Sequence, residues 1–497
     1  MEDDIYVICS MIFLWIFLPI VLAINLIISI CPFKKDENRV YVKNIWLLIS
    51  SFIFYAWGGI KYLLIMLTSI VVNYIGGRII GTTKKKKLVL ILIVICNIGM
   101  LFFFKYFNMF VIAIEALTSS GQNIGESLEM MLSMKGTGAL GIKYIVLPIG
   151  ISFFTFQSMS YVIDVYYGKV EVQKKLVNFA LYVSLFPQLN AGPIVKYSDV
   201  EAEINFRKES VESFRIGIKR FCYGLGKKVI IANTMGEVAD KIWANEISEL
   251  GTLIAWLGII AYTFQIYYDF SGYSDMAIGL GKMLGFNFKE NFNYPYLSTS
   301  VQEFWRRWHI SLSTWFKEYV YIPLGGNRKG NKRTYLNVFI VFLLTGIWHG
   351  ANFTFIVWGL MYAFLQIIER LFLRKLLDKN PVKFINWIYT MSMVIIGWVF
   401  FRANTIFDAI EYLHQMFSYN VTDLSILTFV SAKLLIVLTV AILCAGIVQK
   451  IFEKLYAKIE NNAVVKIADV CVQFLLLILS ISFIVSGTYN PFIYFQF

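Results

Sequence analysis

The stretch Leu343-Leu344-Thr345-Gly346-Ile347-Trp348-His349-Gly350-Ala351-Asn352 places a histidine where one apolar run ends and another begins. An ionisable side chain inside an apolar span costs free energy, so it is a functional candidate by default. Histidine suits proton transfer near neutral pH better than other side chains do. We interpret His349 as a catalytic residue, with Trp348 and Asn352 as candidate lining of a substrate passage. The alternative is a neutral structural histidine, satisfied by a hydrogen bond between helices.

Apolar runs of this kind recur along the whole chain. Hydrophobic residues make up 58% of the sequence and charged residues 15%, whereas soluble proteins carry about 25% charged residues. A membrane helix needs about 20 mainly apolar residues, and about eleven or twelve stretches qualify. They lie near residues 5–31, 43–60, 62–80, 88–110, 143–166, 214–235, 251–285, 335–350, 351–373, 384–401, 425–449 and 465–487. The sequence therefore predicts an all-α polytopic membrane protein that forms a single domain over residues 1–497.

The basic residues give the chain a net charge of +13 and predict its orientation. They cluster between the apolar runs, as in the cytoplasmic loops of membrane proteins, so the charge indicates a lipid bilayer and not a nucleic acid as the partner. All clusters lie on one side, the cytoplasm of a multi-pass cell-membrane protein, if the N-terminus is outside. The clusters fall at residues 34–43, 78–87, 169–175, 207–228, 306–333, 370–383 and 450–458.

This orientation requires residues 176–197 to enter and leave the membrane on the same side. Pro187 and the triplet Ala191-Gly192-Pro193 are expected to break a helix there. Broken backbone at membrane depth is tolerated only where it is buried in protein or lines a cavity. We predict a re-entrant element beside a cavity, with an amphipathic surface hairpin as the alternative.

Motifs for bound metals and nucleotides are absent from the sequence. None of the six cysteines forms a C-x-x-C pair, so neither a zinc site nor a disulfide framework is indicated. No Walker loop or G-x-G-x-x-G fingerprint appears at a strand–helix junction, so ATP- or NAD-driven chemistry is unsupported. The sequence thus predicts no bound metal or cofactor.

A second histidine lies in the segment Phe304-Trp305-Arg306-Arg307-Trp308-His309-Ile310-Ser311-Leu312-Ser313-Thr314-Trp315-Phe316. The spacing of its aromatic residues favours an amphipathic helix at the membrane interface, where arginines are also favoured. One interpretation is that the segment lines the cytoplasmic mouth of a passage, with its arginines favouring a phosphate-bearing donor. The candidate lining residues are Trp305, Arg306, Arg307 and Trp308. The other interpretation is an interfacial anchor.

Two carboxylates lie in the apolar run near residues 251–285. Asp269 and Asp275 are six positions apart, which puts them far apart around a helix. Gly272 lies between them and is expected to break that helix. Together with Ser271, the two carboxylates predict the polar wall of a cavity, and a structural role in hydrogen bonds is the alternative.

His309 and His349 are forty positions apart and lie on different elements, so they cannot share one helix face. They could face one passage from different depths. A base near an acceptor hydroxyl would take its proton as the oxygen attacks an acyl carbonyl, an effect worth about 10²–10⁴-fold in rate. His414, the third histidine, is predicted to be a surface residue on an outer amphipathic helix.

The block from Tyr267 to Trp358 resembles the membrane-bound O-acyltransferase (MBOAT) family. The fit is best to its AlgI-like branch, named for the membrane subunit of alginate O-acetyltransferase. The signature core lies at about residues 143–373, and Asn190 departs from the pattern, which has an apolar residue at that position. The similar stretches are Tyr267-Tyr268-Asp269-Phe270-Ser271-Gly272-Tyr273-Ser274-Asp275, Phe304-Trp305-Arg306-Arg307-Trp308-His309-Ile310-Ser311-Leu312-Ser313, Tyr321-Ile322-Pro323-Leu324-Gly325-Gly326-Asn327-Arg328, Gly346-Ile347-Trp348-His349-Gly350-Ala351, Pro148-Ile149-Gly150-Ile151-Ser152-Phe153, Ala191-Gly192-Pro193-Ile194 and Pro491-Phe492-Ile493-Tyr494-Phe495-Gln496-Phe497.

The resemblance implies the MBOAT fold, a ring of helices around a central tunnel that joins the two faces of a bacterial cell membrane. It also implies that His349 matches the family's catalytic histidine and His309 its second signature histidine. In this branch, acetyl groups pass outward from a cytoplasmic donor, generally taken as acetyl-CoA. An extracytoplasmic SGNH-type acetyltransferase then places them on an exopolysaccharide.

Two other functions stay open. One resembles the DltB branch, which moves D-alanine from a carrier protein to teichoic acid, although the total length and the stretch Ile322-Pro323-Leu324-Gly325-Gly326-Asn327 favour the AlgI-like branch. The other is a transporter or channel that uses the same polar passage without acyl chemistry. The absence of an evident internal repeat weighs against a transporter built on inverted halves.

Overall fold

The protein is described by a computed structural model that covers residues 8–119, 145–189, 191–459, 462–487, 489 and 493. Within these residues the secondary structure is helical and contains no strand. The α-helices are α1 Leu18–Ile30, α2 Asp36–Ala56, α3 Ile60–Thr82, α4 Lys86–Ser119, α5 Ile151–Tyr167, α6 Leu176–Ser184, α7 Phe186–Leu189, α8 Tyr197–Phe206, α9 Val211–Gly226, α10 Asn233–Trp243, α11 Thr252–Met283, α12 Val301–Arg307, α13 Ile310–Phe316, α14 Asn331–His349, α15 Phe353–Ile368, α16 Arg374–Lys379, α17 Lys383–Arg402, α18 Ile406–Phe417, α19 Ala432–Ile442, α20 Val448–Ile459 and α21 Ala463–Ser486.

Shorter helical segments continue or connect these helices. Turns with π-helical geometry occur at Phe13–Phe17, Lys227–Ala232, Lys317–Tyr321 and Glu369–Leu373. Within Leu443–Ile447 the chain kinks at Gly446, which has φ 125°. Turns with 3₁₀ geometry occur at Ile247–Glu249, Pro295–Leu297 and Ile426–Thr428.

In the described part of the chain, 8 helical stretches are long and apolar enough to cross a membrane. They are Phe13–Ile30, Ile60–Thr82, Lys86–Ala116, Thr252–Met283, Phe353–Lys379, Lys383–Arg402, Ala432–Ile459 and Ala463–Ser486. Helices also occupy the four other predicted spans, as α2, α5, α14 and the continuous helix from α9 to α10. These four fall outside the length and hydropathy that a membrane span requires, so the predicted eleven or twelve crossings exceed this number. The chain is an all-α polytopic membrane protein.

Helices α9 and α11 touch through their backbones. A Cβ atom added at Gly217 would lie 2.6 Å from the carbonyl oxygen of Gly279, and one added at Gly224 would lie 2.6 Å from that of Gly272. Small residues allow this close approach, which is a common way to pack helices in membranes. The expectation that Gly272 breaks the helix is therefore wrong. Helix α11 continues through Gly272, whose missing side chain makes room for the neighbouring helix.

A second close contact joins α14 to α15 and positions the end of α14. A Cβ atom at Gly346 would lie 2.5 Å from the carbonyl oxygen of Phe355, and one at Gly359 would lie 2.5 Å from that of Phe342. The two glycines thus hold the antiparallel helices on either side of the turn that follows His349.

Residues 177–189 and 191–197 lie mostly inside the protein. Helices α6 and α7 are short, and the side chains of Phe179, Leu181 and Phe186 are completely buried. At the break between the two helices, the backbone amide of Phe186 donates a hydrogen bond to Ser51 Oγ at 3.1 Å. This burial excludes the surface hairpin and agrees with the predicted re-entrant element. Asn190 lies outside the described residues.

We predict that Gly224→Ala destabilises the protein by about 1–3 kcal/mol, because the added methyl group forces α9 away from α11. Gly99→Ala is the matched control, since a Cβ atom at that helical glycine meets nothing within 4 Å. Thermal unfolding of the purified variants in detergent measures the difference. Equal melting temperatures for Gly224→Ala and Gly99→Ala would contradict the packing described above.

Candidate active site

His349 is the last residue of α14, so the helix ends with unpaired carbonyl groups inside the protein. Two neighbouring side chains of α4 supply the missing donors. Lys105 Nζ donates to the carbonyl oxygen of Trp348, and Tyr106 Oη donates to that of Ile347. A cation is also favoured at this negative end of a helix dipole. These contacts fix the backbone that carries the histidine.

The imidazole of His349 is surrounded by aromatic rings and is 4% exposed. Its ring centroid lies 4.9 Å from Trp348, 5.0 Å from Trp358, 5.0 Å from Phe401 and 6.3 Å from Phe355. Its Nδ1 atom has no hydrogen-bond partner among the described residues. A hydrogen bond between helices at that atom, the structural alternative for this residue, is therefore not observed.

His309 occupies a break between two short helices, each buried on one side. The sequence predicts one amphipathic helix for this segment, but α12 ends at Arg307, α13 begins at Ile310, and His309 has left-handed backbone angles of φ 43° and ψ 55°. Such angles are uncommon outside glycine and concentrate at functional sites. The aromatic side chains at positions 304, 305, 308, 315 and 316 are buried in the core, whereas Arg306 on the other side is exposed.

Asn291 holds this break in place. Its backbone oxygen accepts from the Ile310 amide at 2.9 Å, and its Oδ1 accepts from the Ser311 amide at 3.1 Å and from Ser311 Oγ at 2.8 Å. The same Oδ1 lies 3.2 Å from His309 Nδ1, and Asn291 Nδ2 donates to Ser274 Oγ at 3.0 Å. The imidazole of His309, 1% exposed, is thus oriented by a buried polar network.

The indole of Trp348 lies between the two histidines. Its ring centroid is 6.2 Å from that of His309 and 4.9 Å from that of His349. Phe153 and Phe156 of α5 support the indole at 5.9 and 5.5 Å. The structure therefore brings together the two histidines that the sequence places forty positions apart.

A cavity of about 590 Å³ approaches this pair from one side. Its lining includes Leu312, three residues after His309, and Thr345, one helical turn before His349. Trp305 also lines it, and the Trp305 ring centroid lies 5.6 Å from that of Trp358, the ring that contacts His349. Its cationic lining residues are Arg306, Lys317, Arg370 and Arg374.

Three other candidate lining residues make contacts elsewhere. Arg307 donates to Glu303 Oε1 through Nε at 3.0 Å and through Nη2 at 2.7 Å. Trp308 packs in the core 4.9 Å from Trp398. Asn352 begins α15, where its Oδ1 accepts from the Thr354 amide at 3.0 Å and its Nδ2 donates to a backbone oxygen at position 404. Each of these side chains has an internal partner.

The carboxylates of α11 form ion pairs. Asp269 lies 2.7 Å from Lys228 Nζ, and both side chains are almost fully buried. Asp275 lies 2.7 Å from Arg220 Nη2 and 2.6 Å from Lys227 Nζ. The geometry favours the structural alternative for the two carboxylates. The buried hydroxyl of Ser271 has no hydrogen-bond partner among the described residues.

Outside this region, His414 lies exposed on α18, as the sequence predicts. In the described part of the chain, no three histidine, cysteine, aspartate or glutamate side chains are grouped as a metal site requires.

The sequence reasoning missed Lys105, Tyr106 and Asn291. Lys105 carried a signal, because a single lysine inside an apolar run is a functional candidate on the same grounds as His349. Asn291 carried none, since it lies outside any predicted span and meets His309 only through the fold.

The sequence also matches known proteins over most of its length. Residues 172–409 match the family model described as MBOAT, membrane-bound O-acyltransferase family. The chain is 42% identical over 422 residues to the "Probable alginate O-acetylase AlgI" of Pseudomonas putida, covering 84% of this chain and 81% of the relative. It is 34% identical over 420 residues to the "Peptidoglycan O-acetyltransferase" of Helicobacter pylori, covering 77% and 76%.

A shorter match is 30% identical over 238 residues to the "Teichoic acid D-alanyltransferase" of Bacillus subtilis, covering 45% of this chain and 59% of the relative. The family match contains both buried histidines. The chain is an O-acyltransferase that belongs to the AlgI-like branch of the membrane-bound O-acyltransferase family.

Proposed function

We propose that this protein takes acetyl groups from acetyl-CoA on the cytoplasmic side of the membrane and passes them on for O-acetylation of an extracellular polysaccharide. The observation that carries the proposal is a cavity with a cationic lining that includes Thr345, one helical turn before His349. The relatives named alginate O-acetylase and peptidoglycan O-acetyltransferase support acetyl as the group and a glycan as the acceptor.

The cavity suits a donor with phosphate groups at one end and a thioester at the other. Arg306, Arg370 and Arg374 line it and are exposed, and arginine matches the geometry of phosphate oxygens. Thr345 lies four residues before His349 on α14, a rise of about 6 Å along the helix. A donor bound by its phosphates at the arginines would therefore direct its thioester towards the two histidines.

His349 is the proposed general base. Its imidazole takes the proton of the acceptor hydroxyl while the hydroxyl oxygen forms a bond to the thioester carbonyl carbon. The carbon–sulfur bond then breaks, and the thiolate leaves with the proton returned from the imidazolium. His309 is proposed to face the same reacting groups across Trp348, held by Asn291. Trp348 and Ser271 remain candidates for contact with the bound substrates.

Access from the cavity to His349 is proposed to involve a side-chain movement. Trp305 lines the cavity, its ring centroid lies 5.6 Å from that of Trp358, and Trp358 lies 5.0 Å from His349. Rotation of the Trp305 side chain would extend the cavity to Trp358 and His349. The aromatic rings around His349 would also exclude water from the site. A dry site strengthens electrostatic interactions and protects the thioester from hydrolysis.

The remaining steps follow the orientation predicted from the basic clusters, with the N-terminus outside and the Arg306 cluster in the cytoplasm. The acetyl group would leave on the outer side, where an SGNH-type acetyltransferase is the proposed partner that places it on the polymer. D-Alanyl transfer to teichoic acid is the second candidate, but the D-alanyltransferase match covers only 45% of this chain.

We predict that His349→Ala lowers the O-acetyl content of the host's extracellular polysaccharide at least about 100-fold, because the general base is lost. The measurement is mass spectrometry of acyl groups released by alkali, with immunoblotting to confirm an unchanged amount of membrane-inserted protein. Normal acetylation in this variant would refute the catalytic assignment. Release of alanine instead of acetate from the wild-type polymer would identify the D-alanyl alternative.

For His309→Ala we expect reduced but measurable acetylation, because Trp348 and His349 stay in place. His309→Asn is the informative comparison, since asparagine tolerates left-handed backbone angles but lacks the imidazole. Transfer of radiolabelled acetyl groups in membrane vesicles measures both. Full activity in His309→Asn would leave this residue a purely structural role.

We predict that Arg306→Gln raises the KM for acetyl-CoA about 3- to 10-fold in inside-out vesicles with little change in kcat, because an exposed charge-assisted contact to phosphate is lost. Arg78→Gln removes an exposed arginine outside the cavity, on the same predicted face, and serves as the control. Equal KM values for the two variants would place the donor elsewhere.

A further inference from the structure

A second and larger cavity, of about 930 Å³, lies between α1, α2 and the chain that links α8 to α9. Six charged residues line it: Asp36, Arg39, Lys43, Arg207, Lys208 and Glu209. None of the residues that line it also lines the 590 Å³ cavity near the histidines. The active site as described therefore does not use it.

The two carboxylates of this cavity are already paired. Glu209 Oε2 lies 2.7 Å from Lys43 Nζ, and Glu209 also accepts from Asn25 Nδ2 at 3.1 Å and from Ser29 Oγ at 3.2 Å. Asp36 lies 3.0 Å from Arg39. Arg207 and Lys208 remain once these two pairs are set aside. The charged side chains that line the cavity, four cations and two carboxylates, therefore have a net charge of +2.

Arg207 is the unusual member of the set because it is 6% exposed. One of its nitrogens donates to Asn44, and its guanidinium stacks 4.9 Å from the Phe286 ring. Its Nε atom lies 3.9 Å from Glu209, beyond hydrogen-bond distance, and its Nη2 atom has no hydrogen-bond partner among the described residues. Arg207 lines the cavity, and a buried guanidinium is costly when its charge is only partly compensated, so an anionic group bound in the cavity would be stabilised by it.

The other wall of the cavity is apolar. Leu22 and Leu26 of α1 line one side, and Phe206, Val211 and Phe214 line the other. All of these except Leu22 are exposed in the isolated chain. The cavity lies where α1 ends and α2 begins, between basic clusters predicted to be cytoplasmic, so the exposed apolar side chains would face the acyl chains of the inner leaflet.

We propose that this cavity is a binding site for an anionic phospholipid, with the phosphate held by Arg207 and Lys208 and the acyl chains lying along Leu22, Leu26 and Phe214. Basic pockets between membrane helices on the cytoplasmic side are typical sites for such headgroups. A single ligand with a phosphate and two hydrocarbon chains satisfies both walls at once. The bound lipid would join α1 and α2 to the loop before α9.

The test uses the purified full-length protein in nanodiscs that contain phosphatidylcholine and phosphatidylglycerol at a ratio of 4 to 1. Native mass spectrometry measures the fraction of protein that retains phosphatidylglycerol after release. We expect Arg207→Gln to lower this fraction about five-fold, and the double variant Arg39→Gln/Lys208→Gln to lower it further, since each cation near a headgroup phosphate contributes about that factor. The double variant changes only residues at the rim, so it tests the site even if Arg207→Gln does not fold.

The control is Lys85→Gln/Lys86→Gln, which removes two exposed cations where the chain enters α4, on the same predicted face. Its retention of phosphatidylglycerol should equal that of the wild type. Equal retention in the rim variant and the control would overturn the site. Displacement of the lipid by acetyl-CoA or by inorganic phosphate would overturn it too, because the ligand would then be a soluble phosphate compound. Since the readout is lipid retention, failure here leaves the proposed acetyl transfer untouched.

Discussion

The active-site layout depends on ending a helix inside a membrane protein without leaving its carbonyl groups unpaired. Helix α14 stops at His349 inside the protein, where no water is at hand to donate to its last backbone oxygens. Lys105 and Tyr106 of α4 supply the donors. Because the same two residues fix the positions of Ile347 and Trp348, the donors that satisfy the backbone also set the geometry of the indole and the imidazole. Glycine contacts between α14 and α15 then let the chain reverse immediately after the histidine.

Charged side chains in the interior also have partners, as the carbonyl groups at the end of α14 do. The carboxylates of α11 are neutralised by Lys228, Arg220 and Lys227 from the preceding helical stretch, so they brace the helices where glycine brings the backbones together. Breaking such a buried pair costs about 3–5 kcal/mol. The two cavities differ from this core because their cations exceed their carboxylates. Positive charge is thus kept available where the chain has space for a ligand and is cancelled where it has none.

Much of the fold and part of the site could be predicted from sequence, and the failures have one cause. Apolar runs locate helices because each span must satisfy its own backbone, a local requirement. An isolated histidine in such a run is conspicuous for the same local reason. The break at His309 depends on Asn291, eighteen positions away, and the role of Gly272 depends on Gly224 in another helix. Glycine looks the same in sequence whether it breaks a helix or lets two helices touch, so only the fold distinguishes the two.

The left-handed backbone at His309 has a consequence for the timing of catalysis. Such a conformation costs of order 1–3 kcal/mol. The hydrogen bonds that Asn291 accepts from the following turn offset this cost when the protein folds. The imidazole therefore reaches its orientation before any substrate arrives, and little reorganisation of the protein is left for the moment when bonds change. In the proposed mechanism such a fixed imidazole would be preorganised, as electrostatic catalysis requires of groups that face developing charge.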